Sequence, residues 1–430
     1  MNKNLKVFKF GGASVKDAES IKNVLDITKT YKDHELVVVV SAMAKTTNHL
    51  EKVVDLYASG KDAFAELEQI KQFHYGIAAA LFEDPKELQT SLSDTFVEIE
   101  WLLEEPMEDS YDYVYDQIVS VGELLSTQIV AAYFNANGLS TKWVDARDLV
   151  LTDNIYREGW VQWEETIKRT KGKLEPILKA GSIALTQGFI GSTSENFTTT
   201  LGREGSDYSA AIFSFCLDAK EMVIWKDVPG ILTGDPRYFD NVTKLDQISY
   251  REAIEMTYYG AKVIHQKTIK PLQNKNIPLL VRSFIDPAGS GTVITAETDE
   301  TYPPIVSVER DQALIRISTK DFSFVAEHHM SFIFSQIASL RLQVNLMQNT
   351  AISFVVCVND ANDKVDRFAN AIEEKFKVNF ERGLELYTIR HYNDSIIKSL
   401  KDSKLILAEE KMPKTTQFVT KAVPTMRLKS

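Results

Sequence analysis

Cysteine is nearly absent from this 430-residue chain. Cys216 and Cys357 are the only two, and each sits in an apolar run, 213–217 and 352–358. That argues against a disulfide and predicts two buried free thiols in a reducing compartment. Histidine is scarce too. None of the seven has zinc-binding spacing, and Glu327-His328-His329 lacks the i, i+4 pairing of a helical metal site, so no metal ligand is assigned. No apolar stretch approaches the ~18 residues of a membrane span. The lysines of the opening MNKNLKVFKF precede no apolar leader core, and the expected location is the cytoplasm. Basic charge is in deficit: 49 Lys and Arg against 60 Asp and Glu give a net −11. That speaks against nucleic acid or an anionic membrane as a partner, although a local basic cleft remains compatible with it. There is no G-x-S-x-G elbow to support a serine nucleophile. What is there is ordinary globular material, 44% hydrophobic and 25% charged. It can bury a full core, at a length that implies two or three domains.

Residues 1–150 alternate strand and helix. Leu5–Phe10 reads as a strand, Val15–Tyr31 as a helix, and the apolar LVVVVS at 36–41 as a buried parallel strand. A long helical stretch spans about 48–136, with Pro85 and Pro106 as its clear breaks. Strands follow at 141–144, 182–187, 221–225 and 278–282, with a helix over 206–217. The order predicts an α/β domain with a largely parallel sheet sandwiched by helices, and ligands at the carboxyl ends of its strands. Beyond Pro303-Pro304 the texture changes. A strand at 313–318, a helix carrying Ile333, Ile337 and Leu340, the strand AISFVVCV, and a helix lined by Val365, Phe368, Ile372 and Phe376 describe a small α+β sandwich. A weaker copy surrounds it, with strands at 305–308, 384–389, 405–408 and 416–420 and a short helix near 396–400.

Four segments could carry chemistry. In VFKFGGASV, a strand ends in Lys9 followed by Gly11 and Gly12. Glycines let backbone N–H groups approach an anion, and a lysine adds a point charge for a phosphoryl group. A tight turn with a solvated lysine fits the same letters. In TTTLGREGSDYSAA, Arg203 offers a fork for a carboxylate or phosphate, and Asp207 is either functional or a helix cap. In WKDVPGILTGDPR, Asp227, Asp235 and Arg237 could hold a nucleotide, or the segment is a turn-rich connection. In VSVGELLST, Glu123 could hold an ammonium group or be a solvated helix residue. The motifs lack GK[ST] and the third glycine of G-x-G-x-x-G, so neither a P-loop nor a dinucleotide fingerprint is present. Together they fit phosphoryl transfer better than acyl or hydride transfer.

The ordered set KFGGASV, VVVVSAMAKTTNHL, SVGELLST, TQGFIGS, TTTLGREGSD, DVPGILTGDPR and GAKVIH resembles aspartate kinase across most of residues 5–295. The resemblance implies an amino-acid-kinase fold at 1–295 and an ACT-like regulatory region at 305–430. Within that region, a first βαββαβ module (312–380) interrupts a shortened second one (305–311 plus 382–425). It implies transfer of the ATP γ-phosphoryl, with Mg²⁺ carried mainly by the nucleotide, to the β-carboxylate of L-aspartate, opening lysine, threonine and methionine synthesis. By that likeness Lys9 and Asp207 are catalytic, Arg203 and Glu123 hold the α-carboxylate and α-ammonium, and Ser41, Thr47 and Phe189 line the aspartate pocket. Gly11, Gly12, Lys226, Asp227, Asp235, Arg237 and Lys262 would face ATP. A homodimer through the ACT-like region and no fused dehydrogenase are expected. The pattern departs from the family at Glu204, where a glycine is usual, and at Lys226, Leu232 and Gln266. In the tail, LMQNTAISF lacks the usual Ser-Glu pair, and EHHMSF lacks the usual glycine before it.

Overall fold

The computed structural model describes residues 4–202, 204–261, 264–296, 301–321, 323–361 and 363–421. The chain begins with β1 (Leu5–Phe10), α1 (Ala18–Lys29) and β2 (Glu35–Val40). Five helices follow: α2 (Thr46–Ala58), α3 (Phe64–Leu81), α4 (Lys86–Glu104), α5 (Tyr111–Val119) and α6 (Val121–Ala136). Then come β3 (Thr141–Val144), α7 (Trp163–Lys179), β4 (Ile183–Gln187), β5 (Ile190–Ser192), β6 (Thr198–Thr200) and α8 (Gly205–Cys216). After β7 (Glu221–Lys226) the order is β8 (Gln247–Ser249), α9 (Tyr250–Tyr258), α10 (Gln266–Lys275), β9 (Leu279–Ser283) and β10 (Thr292–Thr295).

Eight of these strands form one sheet in the order β3-β4-β2-β1-β7-β9-β10-β8, parallel throughout except where β10 meets β9. It belongs to the first of two compact units, made of 1–231, 245–254 and 263–298. Strand alternation divides its interior. Phe8, Phe10, Val38, Val40, Val223 and Trp225 face the core shared with α1 to α6, while Val7 and Lys9 point to the opposite face, where α8 packs. The long helical stretch divides at more than its prolines. Gly60, at φ 66°, ends the turn after α2, and α5 gives way to α6 at Ser120 without proline or glycine. Between the strand expected at 182–187 and the helix expected at 206–217, the chain forms the β5–β6 hairpin built on the β-branched run Thr198–Thr200.

The second unit comprises 232–244, 255–262 and 299–430, so two stretches within the expected 1–295 domain cluster with the tail. Its elements are β11 (Ile305–Thr319), α11 (Glu327–Ser339), β12 (Val344–Asn349), β13 (Ser353–Asn359), α12 (Lys364–Ile372), β14 (Phe376–Arg390), α13 (Asp394–Lys401), β15 (Ile406–Lys411) and β16 (Thr415–Lys421). They make an antiparallel sheet in the order β12-β13-β11-β14-β16-β15. The strands expected separately at 305–308 and 313–318 are one 15-residue strand, and 384–389 is likewise the second half of β14. Phe376 opens β14 instead of extending the helix before it. Where both long strands pass from one module to the next, the register slips between Glu309 and Leu314, with Asp311 at φ 54° and Gly383 at φ 67°. Such bulges bend a sheet. Here the bend folds one half over the other: Leu314, Leu346 and Cys357 share a core with Leu384, Leu386, Ala408 and Val419. Arg316 and Gln348 donate to the carbonyls of Leu407 and Glu409 across the fold. Each half keeps its own helix layer, α11 and α12 over one and α13 over the other. Residues 422–430, where the second module is expected to lack a closing helix, lie outside the described residues. Both cysteines are free and buried, and burial pushes each thiol up to about 12.

Candidate active site

The site gathers at the carboxyl ends of β1, β2 and β7, on the α8 side of the sheet. Lys9 is the penultimate residue of β1 and 8% exposed. Its Nζ lies 2.6 Å from Oδ1 of Asp207, in the first turn of α8, and Lys226 at the end of β7 brings its Nζ to 3.8 Å from Oδ2. Burial works to raise the Asp207 carboxyl, but Lys9 and Lys226 prevail and hold it below the usual carboxylate range. Asp207 thus stays ionised and fixes two cations at the mouth of the sheet. A plain helix cap would need neither lysine.

Close backbone approaches shape the floor. A Cβ on Gly12 would stand 2.7 Å from the Ala42 carbonyl and 3.0 Å from that of Ala44, and one on Gly11 would meet the Lys9 ammonium at 3.5 Å. The β1 and β2 loops therefore close on each other only with glycine at 12. Gly188 serves the same end between β4 and α8, where a Cβ would meet the Ser206 Cα at 2.6 Å.

Glu123 lies in the first turn of α6 and is 3% exposed. One carboxylate oxygen accepts the Ala42 N–H at 3.2 Å, and the other is buried without a partner. Burial raises its carboxyl to about 8, against the Ala42 N–H and Lys9, which act to lower it. Ser41 and Thr47, both half-buried, stand at the end of β2 and the start of α2 on either side of Ala42. Ser126 donates to the Ser41 carbonyl at 2.7 Å and so ties that loop to the Glu123 helix. Phe189 is held at φ 68°, its N–H donated to Ser209 of α8 and its carbonyl accepting from Leu201.

The structure therefore brings together Lys9, Gly11, Gly12, Ser41, Thr47, Glu123, Phe189, Asp207 and Lys226. Asp227 follows β7 and is exposed. Asp235 and Arg237 belong to the second unit, where they pair with each other at 2.5 Å in an exposed turn. Arg203 and Lys262 lie outside the described residues. Ser126, Ser209 and the Ala42 N–H carry no chemical signature in the sequence. Glu204, singled out there as standing where a glycine is usual, adopts φ 55°, the left-handed conformation that glycine takes without strain.

Two lysines held by a buried, ionised aspartate lie near a buried carboxyl with one unpartnered oxygen, an arrangement able to meet a phosphate and a cationic group. Comparison with known proteins gives the family. Residues 4–283 match the Amino acid kinase family. Aspartokinase 1 of Arabidopsis thaliana is 30% identical over 93% of this chain and 72% of its own length. Lysine-sensitive aspartokinase 3 of Escherichia coli is 31% identical over 82% and 78%. The structure of E. coli aspartokinase III with aspartate and ADP superposes with a TM-score of 0.82 at 27% identity, covering 97% of this chain and 96% of that one. The chain belongs to the amino acid kinases and, within them, to the aspartokinase family.

Proposed function

We propose that this aspartate kinase performs its reaction with Lys9, Lys226 and Asp207 on the phosphoryl group and Glu123 on the acceptor. A β-carboxylate oxygen of L-aspartate attacks the γ-phosphorus of ATP. The new O–P bond forms as the bond to the β,γ-bridging oxygen breaks, giving 4-phospho-L-aspartate and ADP. The acceptor is ionised at neutral pH, so no general base is required. What opposes the reaction is the meeting of two anions, and cations fixed in place offset that repulsion. Lys9 meets the transferring phosphoryl, Asp207 holds Lys9 and Lys226 in register, and Gly11 and Gly12 admit the phosphates. Glu123 takes the α-ammonium, and its unpartnered buried oxygen is the observation that carries this reading. Arg203 takes the α-carboxylate, with Ser41, Thr47 and Phe189 around the side chain. Asp227 serves the nucleotide, while roles for Asp235, Arg237 and Lys262 there rest on the family resemblance alone. Mg²⁺ would arrive with ATP and neutralise its phosphates, since it commonly keeps waters and substrate phosphates as ligands.

The test is an ATP-dependent acyl-phosphate assay trapped with hydroxylamine, comparing L-aspartate, L-glutamate and carbamate. Product with aspartate is expected, and its absence defeats the reading. Glutamate and carbamate are the disfavoured acceptors, and carbamate offers nothing to Glu123. A cytoplasmic location is supported by the two free thiols, and among the described residues no helix is long and apolar enough to cross a membrane. Dimerisation through the ACT-like region is supported by the sheet's outer strands, β12 and β15, each of which pairs on one side only. Sedimentation at micromolar concentration should return twice the chain mass.

A further inference from the structure

We infer that Asp116 is a positioning residue for the acceptor site, holding the strand end at 198–202 in register with the helix that carries Glu123. The inference rests on the acceptor assignment above. Asp116 is wholly buried, near the end of α5, seven residues before Glu123. Its carboxylate accepts three hydrogen bonds. Oδ2 takes the N–H of Arg157 and the N–H of Thr200, each at 2.9 Å, and Oδ1 takes the Thr200 hydroxyl at 2.7 Å. Its neighbour Gln117 completes the pattern, accepting from the Thr198 N–H at 3.3 Å and donating to the Thr198 carbonyl at 2.9 Å.

The geometry explains why side chains stand there. One edge of β6 pairs with β5. Along the other edge, the polar groups of Thr198 and Thr200 face no strand, and buried backbone groups must find partners. Gln117 and Asp116 supply them from α5, as a strand would, and the Gly159 N–H donates to the Thr200 carbonyl at 2.9 Å. What they hold is conformationally costly. Arg157 stands at φ 69° and Glu204 at 55°, and such left-handed non-glycine residues persist only where their surroundings over-determine them. Gly202 also packs closely on the Arg157 loop, where a Cβ would lie 3.2 Å from the Arg157 carbonyl. Arg157 is further fixed by an ion pair to Asp112 at 3.2 Å and by its guanidinium over the Tyr115 ring at 4.3 Å. One buried carboxylate thus joins three segments. These are the helix pair leading to Glu123, the strained loop at 157, and the strand β6 with Gly202 after it. An uncharged acceptor would satisfy the N–H groups about as well, so the role lies in geometry.

The assay measures KM for L-aspartate, KM for ATP and kcat on the full-length protein and three variants. Asp116→Ala should raise KM for aspartate roughly tenfold or more while KM for ATP moves little, because misplacement of the acceptor falls on one substrate. Asp116→Asn keeps the shape, and its carbonyl can serve both N–H groups while its amide donates to the Thr200 hydroxyl. It should restore KM to within about threefold. Thr200→Val removes one of the three bonds and should give a smaller rise, about two- to fivefold. Unchanged aspartate KM in a folded Asp116→Ala would overturn the inference, as would parallel changes in both KM values or failure of Asn to recover. If the alanine variant does not fold, Thr200→Val decides, and an unchanged KM there counts against the inference. A wild-type protein inactive with aspartate would instead strike the acceptor assignment itself.

Discussion

Lys9 and Asp207 form an ion pair 10% and 4% exposed at the side chain, a setting where a cation aimed at developing charge counts for far more than on a surface. Lys9→Ala should lower kcat by on the order of 10²–10⁴, read in the hydroxylamine assay; near-normal turnover would remove Lys9 from the reaction. Glu123 makes a pH prediction. Its carboxyl is raised from 4.5 to about 8 in the folded protein. Its contribution to stability is therefore complete below pH 4.5 and is lost as pH rises through about 8. An ammonium group favours the ionised form, so aspartate binding should release a proton below that pH. The value of kcat/KM for aspartate should accordingly rise between pH 7 and 9, and Glu123→Gln should flatten that rise and raise KM. A wild-type profile flat across that range would contradict the assignment.

At the scale of elements, the site depends on how closely loops meet. Gly12→Ala forces a methyl to within 2.7 Å of the Ala42 carbonyl, which is backbone and yields little. A loss of about 1–3 kcal/mol in stability is expected, with a fall in kcat because the displaced loop carries Ser41 and leads into Thr47; urea unfolding and turnover check the two parts. Glu204 leads the other way. Restoring glycine at φ 55° relieves backbone strain and removes a carboxylate oxygen buried without a partner. Glu204→Gly should therefore gain about 0.5–1 kcal/mol, seen as a higher Tm. No Tm gain would mean that the strain is relieved elsewhere.

At the scale of the molecule, the second unit is one sheet folded on itself rather than two beads. Leu386 lies in the core that both halves share. Leu386→Ala should cost about 2–5 kcal/mol, and because β11 and β14 run through both modules, protease sensitivity should appear in both halves at the same denaturant concentration. Independent melting of 312–380 would contradict that cooperativity.

Much of the first unit was legible in the sequence. A buried parallel strand has no solvent face, so LVVVVS and VFKF are apolar runs that need no partner to be recognised, whereas the glycine pair after VFKF fits an anion site or a tight turn and is not decided by local letters. The order of the motifs then determined the family, and with it the roles expected of Lys9, Asp207 and Glu123. Tertiary structure decided what depends on neighbours distant in the chain. Glu123 becomes a raised carboxyl only because burial strips its water, and β11 and β14 became continuous strands only because a bulge lets each serve both modules. Asp116, an unremarked letter in YDYVYDQ, acquires meaning only when β6 presents it with an open edge. Local letters specify local backbone; burial, register and the partner of a buried charge are properties of the assembled fold.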